Sequence, residues 1–203
     1  MARDPMRRIL DAVERVVVLT LFVLLLYRFL QSAQQNWMTV VYLVGEGLVV
    51  LMLLLRRSTD QISVAPRDWL LAFTGTFASM LIYPARRLDV LGPLAALLLL
   101  GGIAISVSAK LSLNRSFGIV AANRGVKTGG PYAYVRHPMY LGYFLSQAAI
   151  LIMNFSAWNI LVLSIWAASQ VLRIQAEERV LLRDPSYSAH ATRVPYRLVP
   201  WIY

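Results

Sequence analysis

Two short polar clusters stand out in an apolar chain: Arg136-His137-Pro138, and Arg173 followed one helical turn later by Glu177 and Glu178. An imidazole, two carboxylates and several guanidiniums suit the binding of a small, polar, charged molecule. A guanidinium fork matches a carboxylate in bidentate fashion. A glutamate can take hydroxyls or an ammonium group, and aromatic faces such as Tyr132, Tyr140 and Tyr143 attract a cation through the ring quadrupole. The bland readings stay beside these: a histidine bonded to local backbone, and a solvated acidic face with Glu178 paired to a nearby arginine. The chain has two histidines, His137 and His190, and no cysteine. No cluster has metal-ligand spacing, so no metal is expected. Glu46, between Gly45 and Gly47 in an apolar run, is an ionisable group at membrane depth. Such groups are costly and functional by default, although a protonated or helix-bonded glutamate fits the same place.

The elements that position these residues lie in a bilayer. Of 203 residues, 58% are hydrophobic and 15% charged, and the mean hydropathy is +0.59. A soluble domain averages about 25% charged, so a soluble enzyme, a disordered chain and a disulfide-stapled domain are excluded. Six apolar blocks are read as spans: Val16 to Leu30, Trp37 to Leu55, Trp69 to Tyr83, Val90 to Val107, Pro138 to Met153 and Trp158 to Leu172. An upright crossing takes roughly 20 residues, so the third, fifth and sixth are short. Trp37, Trp69, Tyr83 and Trp158 mark ends as an interfacial belt would. With a cytoplasmic N-terminus, 17 of the 20 Lys and Arg residues fall inside, leaving Arg28, Arg86 and Arg87 outside. That is the positive-inside pattern. The net charge of +10 therefore reports orientation rather than nucleic-acid binding, and the expected place is the inner (cytoplasmic) membrane with both termini cytoplasmic. Arg7-Arg8, an apolar run and Gln31-Ser32-Ala33 loosely resemble a cleavable signal, but the cleavage site is poor and a retained anchor is expected.

The expected fold is all-α: one polytopic membrane bundle, with N-terminal spans over 1–110 and a site-bearing region over 111–203. The connection from Ser108 to Arg136 is long, polar and glycine-bearing, and loops of that length without regular structure are usually functional. The last two spans are joined by Asn154 to Ala157 only, which predicts a tight antiparallel hairpin. Its open ends, Arg136-His137-Pro138 and Arg173 to Glu178, must meet at one membrane face together with the basic tail. Pro138 fits a first helical turn, where its missing N–H costs nothing.

The run GGPYAYVRHPMYLGY, Gly129 to Tyr143, resembles the signature of the isoprenylcysteine carboxyl methyltransferase family of membrane enzymes. That pattern is approximately G-P-Y-x-x-x-R-H-P-x-Y-x-G, met by Gly130, Pro131, Tyr132, Arg136, His137, Pro138, Tyr140 and Gly142. A short hairpin, an E-E-x-x-L element (Glu177, Glu178, Leu181), Tyr187 and a proline-ended tail (Tyr196 to Pro200) follow in family order. The resemblance covers roughly Leu111 to Tyr203. It implies S-adenosylmethionine as methyl donor at the cytoplasmic side, held by Arg124, Gly130, Tyr132, Arg136, His137, Pro138, Tyr140, Glu177 and Glu178, with one of the two glutamates the binder. It also implies a lipidic or prenylated acceptor entering from the bilayer. Two positions depart from the pattern: Arg124 stands where a histidine is typical, and His190 where a second tyrosine often follows Tyr187. Both bear on the acceptor.

Because the donor arrives activated, catalysis would rest on alignment of the reactants. Arg173 and Arg197 are candidates for orienting the donor carboxylate or the acceptor carboxylate, with Glu46 as a third catalytic candidate. Carboxyl methylation is the favoured reading. Phospholipid N-methylation, which needs an amine freed of its proton, and a nicotinamide-dependent reductase of related fold are the alternatives, beside a non-catalytic scaffold or transporter.

Overall fold

The computed structural model describes residues 5–33, 47, 50–57, 59, 61–86 and 88–203. Among them the chain is helical. Among the described residues no strand forms, and the β features are isolated antiparallel bridges between Ile62 and Ala122 and between Arg86 and Phe155. The helices are α1 (Pro5–Ala33), α2 (Pro66–Phe77), α3 (Gly92–Leu113), α4 (Pro138–Met153), α5 (Ala157–Leu181) and α6 (Pro185–Arg193). Local sequence sets their ends. Pro66, Pro93, Pro138 and Pro185 occupy first-turn positions, where no donor is lost. Ser156 caps α5 by accepting from the Asn159 amide at 3.1 Å, and Asp184 caps α6 by accepting from the Ser186 amide at 2.9 Å. Each satisfies a donor that the first turn would otherwise leave unpaired.

Two helices among the described residues combine the length and apolarity needed to cross a membrane: the stretch Asp89–Ser116 containing α3, and α5. α4 is a shorter apolar helix. The fourth, fifth and sixth expected spans therefore appear as helices, and α5 runs on to Leu181, carrying Glu177 and Glu178 on a helical extension. Most of the expected second span, Glu46 included, lies outside the described residues.

The connection between α4 and α5 is as short as expected, yet the two helices do not pair along their length. α4 packs mainly along α3, and α5 mainly along α2. Small residues explain the first contact. A Cβ placed on Gly142 would stand 2.5 Å from the Gly102 carbonyl oxygen and 2.7 Å from the Ser106 amide. One on Gly102 would stand 2.6 Å from the Gly142 carbonyl oxygen and 2.5 Å from Ser146 Oγ. The two helices thus present a glycine and, four residues on, a serine to each other, the small-residue spacing that lets helices approach where lipid removes the hydrophobic drive. α5 instead hydrogen-bonds to α2: Trp166 Nε1 and Gln170 Nε2 both donate to the Gly75 carbonyl, at 3.0 and 2.9 Å. α4 and α5 are thus held mainly by different partners.

Gly142→Ala should destabilise by about 1–3 kcal/mol through overpacking. Gly101→Ala, with nothing within 4 Å of its added carbon, should be neutral or gain up to about 1 kcal/mol of helix propensity. Thermal unfolding midpoints in one detergent check the contrast, which equal shifts would contradict.

Candidate functional site

The site is framed by backbone pairing among segments far apart in sequence. The tail runs beside the start of α4: the Arg136 amide donates to the Tyr196 carbonyl at 2.9 Å, and the His137 amide to the Arg197 carbonyl at 2.8 Å. The connector after α3 is fixed against Arg57, Gln61 and Ser63, with Arg57 N donating to Arg115 O, Ser63 N to Ala121 O and Asn123 N to Gln61 O. The Asn123 side chain donates to Asp184 Oδ2 at 2.9 Å, tying the connector to the α6 cap. Gly125 (φ +104°) and Gly130 (φ +60°) turn the loop through left-handed backbone, a region open to glycine at no steric cost.

Within this frame Glu178 is buried and surrounded by cations. Its carboxylate lies 2.6 Å from Arg197 Nε, 3.2 Å from Arg136 Nε and 3.3 Å from His137 Nε2. The Tyr187 hydroxyl donates to it at 3.4 Å. A buried charge is tolerated only when paired in this way. Glu177, on the neighbouring face, accepts from the Tyr140 hydroxyl and lies 3.8 Å from His137 Nδ1. One imidazole thus sits between two carboxylates. Burial and then the Glu177 charge push the Tyr132 phenol well above its usual range, and burial with the Glu178 charge pushes up Tyr187. Both stay protonated as donors at neutral pH.

A second buried carboxylate supports the opposite wall. Glu14 of α1, fully buried, accepts from the Ile119 and Val120 amides at 2.9 and 3.1 Å. It pairs with Arg56 at 2.8 Å and faces Arg124 at 3.7 Å. The first helix thereby holds the connector in place.

Between these walls lies a cleft with about 720 Å³ of empty space, part of it open solvent. Arg124, Tyr132, Arg136, His137, Tyr140 and Glu177 line it, together with apolar Leu113, Val120, Val126, Met139 and Leu181. Six of the nine expected cofactor residues therefore meet at one surface. The other three stand behind it. Glu178 organises Arg136 and His137, Pro138 starts α4, and Gly130 turns the loop where a Cβ would stand 2.7 Å from Ser112 Oγ. The three expected catalytic residues are not brought together at the cleft. Arg197 is occupied with Glu178 and lies over the Tyr203 ring. Arg173 donates to Ile119 O at 2.9 Å and Gln170 Oε1 at 3.0 Å, with its guanidinium 5.5 Å from the Tyr140 ring centre. Glu46 falls outside the described residues. Reading the sequence alone missed Glu14, although a lone acid entering an apolar helix carries the same signal that singled out Glu46. It noted His190 only as a departure from the family pattern and gave Lys127 no site role, yet both line the cleft.

Residues 91–187 match the family model described as phospholipid methyltransferase. Over that segment, just under half of the chain, the sequence is similar to the phospholipid methyltransferase family. The segment carries α3, α4, α5 and most of the cleft-lining residues. The fold is similar to the solved structure of a eukaryotic intramembrane Ras methyltransferase, isoprenylcysteine carboxyl methyltransferase. The match has a TM-score of 0.53 and 19% identity, over 82% of this chain and 65% of that one. The chain thus spans slightly less than two thirds of that protein's length. Comparison with curated protein sequences gives no match. The two helices long and apolar enough to cross a membrane overlap that matched segment.

Glu14→Ala removes the acceptor for two connector amides and the carboxylate facing Arg56 and Arg124. A loss of about 3 kcal/mol is expected, the scale for breaking a buried ion pair from one side, with faster proteolysis within residues 117–124. Unchanged stability and cleavage would contradict the bracing role.

Proposed function

We propose that the protein transfers a methyl group from S-adenosylmethionine to the carboxylate of a lipidic, prenylated-type acceptor. The observation that carries this reading is the cleft between the connector after α3 and the site ends of α4, α5 and α6, lined by one carboxylate, several cations and buried phenols and lying mostly in the segment that matches the phospholipid methyltransferase model. The lining suits the donor part by part. Arg124 and Arg136 offer guanidiniums for its carboxylate, and Glu177 an acceptor for its ammonium or ribose hydroxyls. Tyr132 and Tyr140 offer aromatic faces for a sulfonium, and the apolar residues a bed for the base. When bound, this donor supplies a methyl group already activated on sulfur.

The chain's own contribution is then alignment. His137, held between Glu177 and Glu178, fixes the orientation of both carboxylates. Tyr140, bonded to Glu177 and stacked under Arg173, joins the cleft wall to the buried α5 arginine. Among the described residues no carboxylate lies within ion-pair distance of Arg173; its partners are a carbonyl, an amide oxygen and a ring. A buried cation with neutral partners favours an incoming anion. A carboxylate acceptor is ionised at neutral pH and needs orientation rather than a base. In this reading the six apolar blocks are spans, the N-terminal helices over 1–110 admit the acceptor from the bilayer, residues 111–203 hold the donor, and both termini face the cytoplasm. Phospholipid N-methylation is the second reading, favoured by the description of the matching family.

Incubating the protein in nanodiscs with methyl-labelled S-adenosylmethionine and a native lipid extract separates them. Carboxyl methylation leaves label that alkali releases as methanol; N-methylation leaves base-stable label in a headgroup. His137→Ala should weaken S-adenosylhomocysteine binding about tenfold, the scale of a buried hydrogen bond to a charged group. No labelled lipid and no binding of either adenosyl compound would overturn both readings.

A further inference from the structure

His190 lies on α6, is 3% exposed and forms part of the cleft lining. Its Nε2 is buried with no hydrogen-bond partner. An unpaired buried polar atom is costly, so one at a ligand cleft points to a partner that arrives with the ligand. The ring is fixed by its surroundings. Tyr187, one turn earlier on α6, meets it edge-on with ring centres 6.2 Å apart. Burial, then the charges of Arg193 and Arg136, push the His190 imidazole below its usual value. The ring is therefore neutral at physiological pH, and a neutral imidazole keeps one nitrogen lone pair as an acceptor. The two arginines also select the kind of donor: a site already facing two cations disfavours an ammonium or a sulfonium. What remains is a neutral N–H or O–H.

We infer that His190 accepts a hydrogen bond from a neutral donor on the adenosyl portion of the ligand in the cleft, either the exocyclic amine of the base or a ribose hydroxyl. This rests on the S-adenosylmethionine reading above and extends it to a residue at which the chain departs from the family pattern. It divides the cleft by chemistry. The zwitterionic end of the ligand belongs with Glu177, Arg124 and Arg136, and the uncharged nucleoside end belongs with His190 on α6. A tyrosine in its place would present a hydroxyl as well as a lone pair, so the histidine narrows the site toward pure donors.

Calorimetric titration of S-adenosylhomocysteine into the full chain in nanodiscs tests this. His190→Phe should bind about tenfold more weakly, while His190→Gln, which restores an acceptor oxygen, should stay within about threefold of the parent. The unliganded melting point of each variant establishes that it is folded. On the parent protein, an N6,N6-dimethyladenine analogue and a 2′-deoxyribose analogue locate the donor: one of them should lose about tenfold, and that loss should vanish in His190→Phe. A folded His190→Phe variant with parental affinity, or analogue penalties unchanged by the substitution, overturns the inference while leaving the donor reading intact. Failure of the parent protein to bind S-adenosylhomocysteine overturns both.

Discussion

Burial of the Glu178 carboxylate is the constraint around which the site is built. An unpaired carboxylate cannot be taken out of water, so every segment reaching this point brings a compensating group: Arg136 and His137 from the start of α4, Tyr187 from α6, and Arg197 from the tail. The backbone follows the side chains, with the tail paired to the amides of Arg136 and His137. Glu14 applies the same rule on the other side, drawing Arg56, Arg124 and two connector amides to α1. The cleft is the space left between two clusters of satisfied charge. Its rigidity comes from electrostatic pairing in a poorly solvated place, where each charge is strongly coupled to its neighbours.

The membrane explains why packing takes the form it does. Lipid gives apolar helices no reason to prefer each other, so contact depends on close approach and on hydrogen bonds between helices. Gly102 and Gly142 supply the approach between α3 and α4. The Gly75 carbonyl, receiving Trp166 and Gln170, supplies the bonds between α2 and α5. Although α4 and α5 are each held by a different neighbour, their site ends meet through side chains, with Tyr140 donating to Glu177 and His137 beside both glutamates. At their joined ends the buried Asn159 side chain bonds to the Tyr83 and Asn154 carbonyls at 3.0 and 2.7 Å and keeps the turn closed.

Much of this was legible in the sequence, and the part that was not has a physical reason. The start of α4 was readable from Pro138, because first-turn chemistry is local. The meeting of Arg136, His137, Glu177 and Glu178 followed from one short turn, since a three-residue connection returns both chains to the same face. Pairing between helices was not readable: a short turn suggests that α4 and α5 pack together, yet the glycine–serine spacing directs α4 to α3. Arg173 and Arg197 looked equivalent as free cations. Only the fold shows one stacked under Tyr140 and the other bound to Glu178. Glu14 bonds to the Ile119 amide 105 positions away in the chain, and His190 lines the cleft beside Tyr132, 58 positions away, distances over which sequence spacing carries no information.

The central claim, that the charged end of this bundle is a site for an adenosyl ligand, is tested most directly by hydrogen exchange of the full protein in nanodiscs with and without saturating S-adenosylhomocysteine. The account predicts slower amide exchange in residues 117–127, at the start of α4 and across 187–197, with α3 between residues 92 and 105 unchanged. Exchange unaltered in all three segments at saturation, or protection confined to α1 and the apolar length of α3, would contradict it.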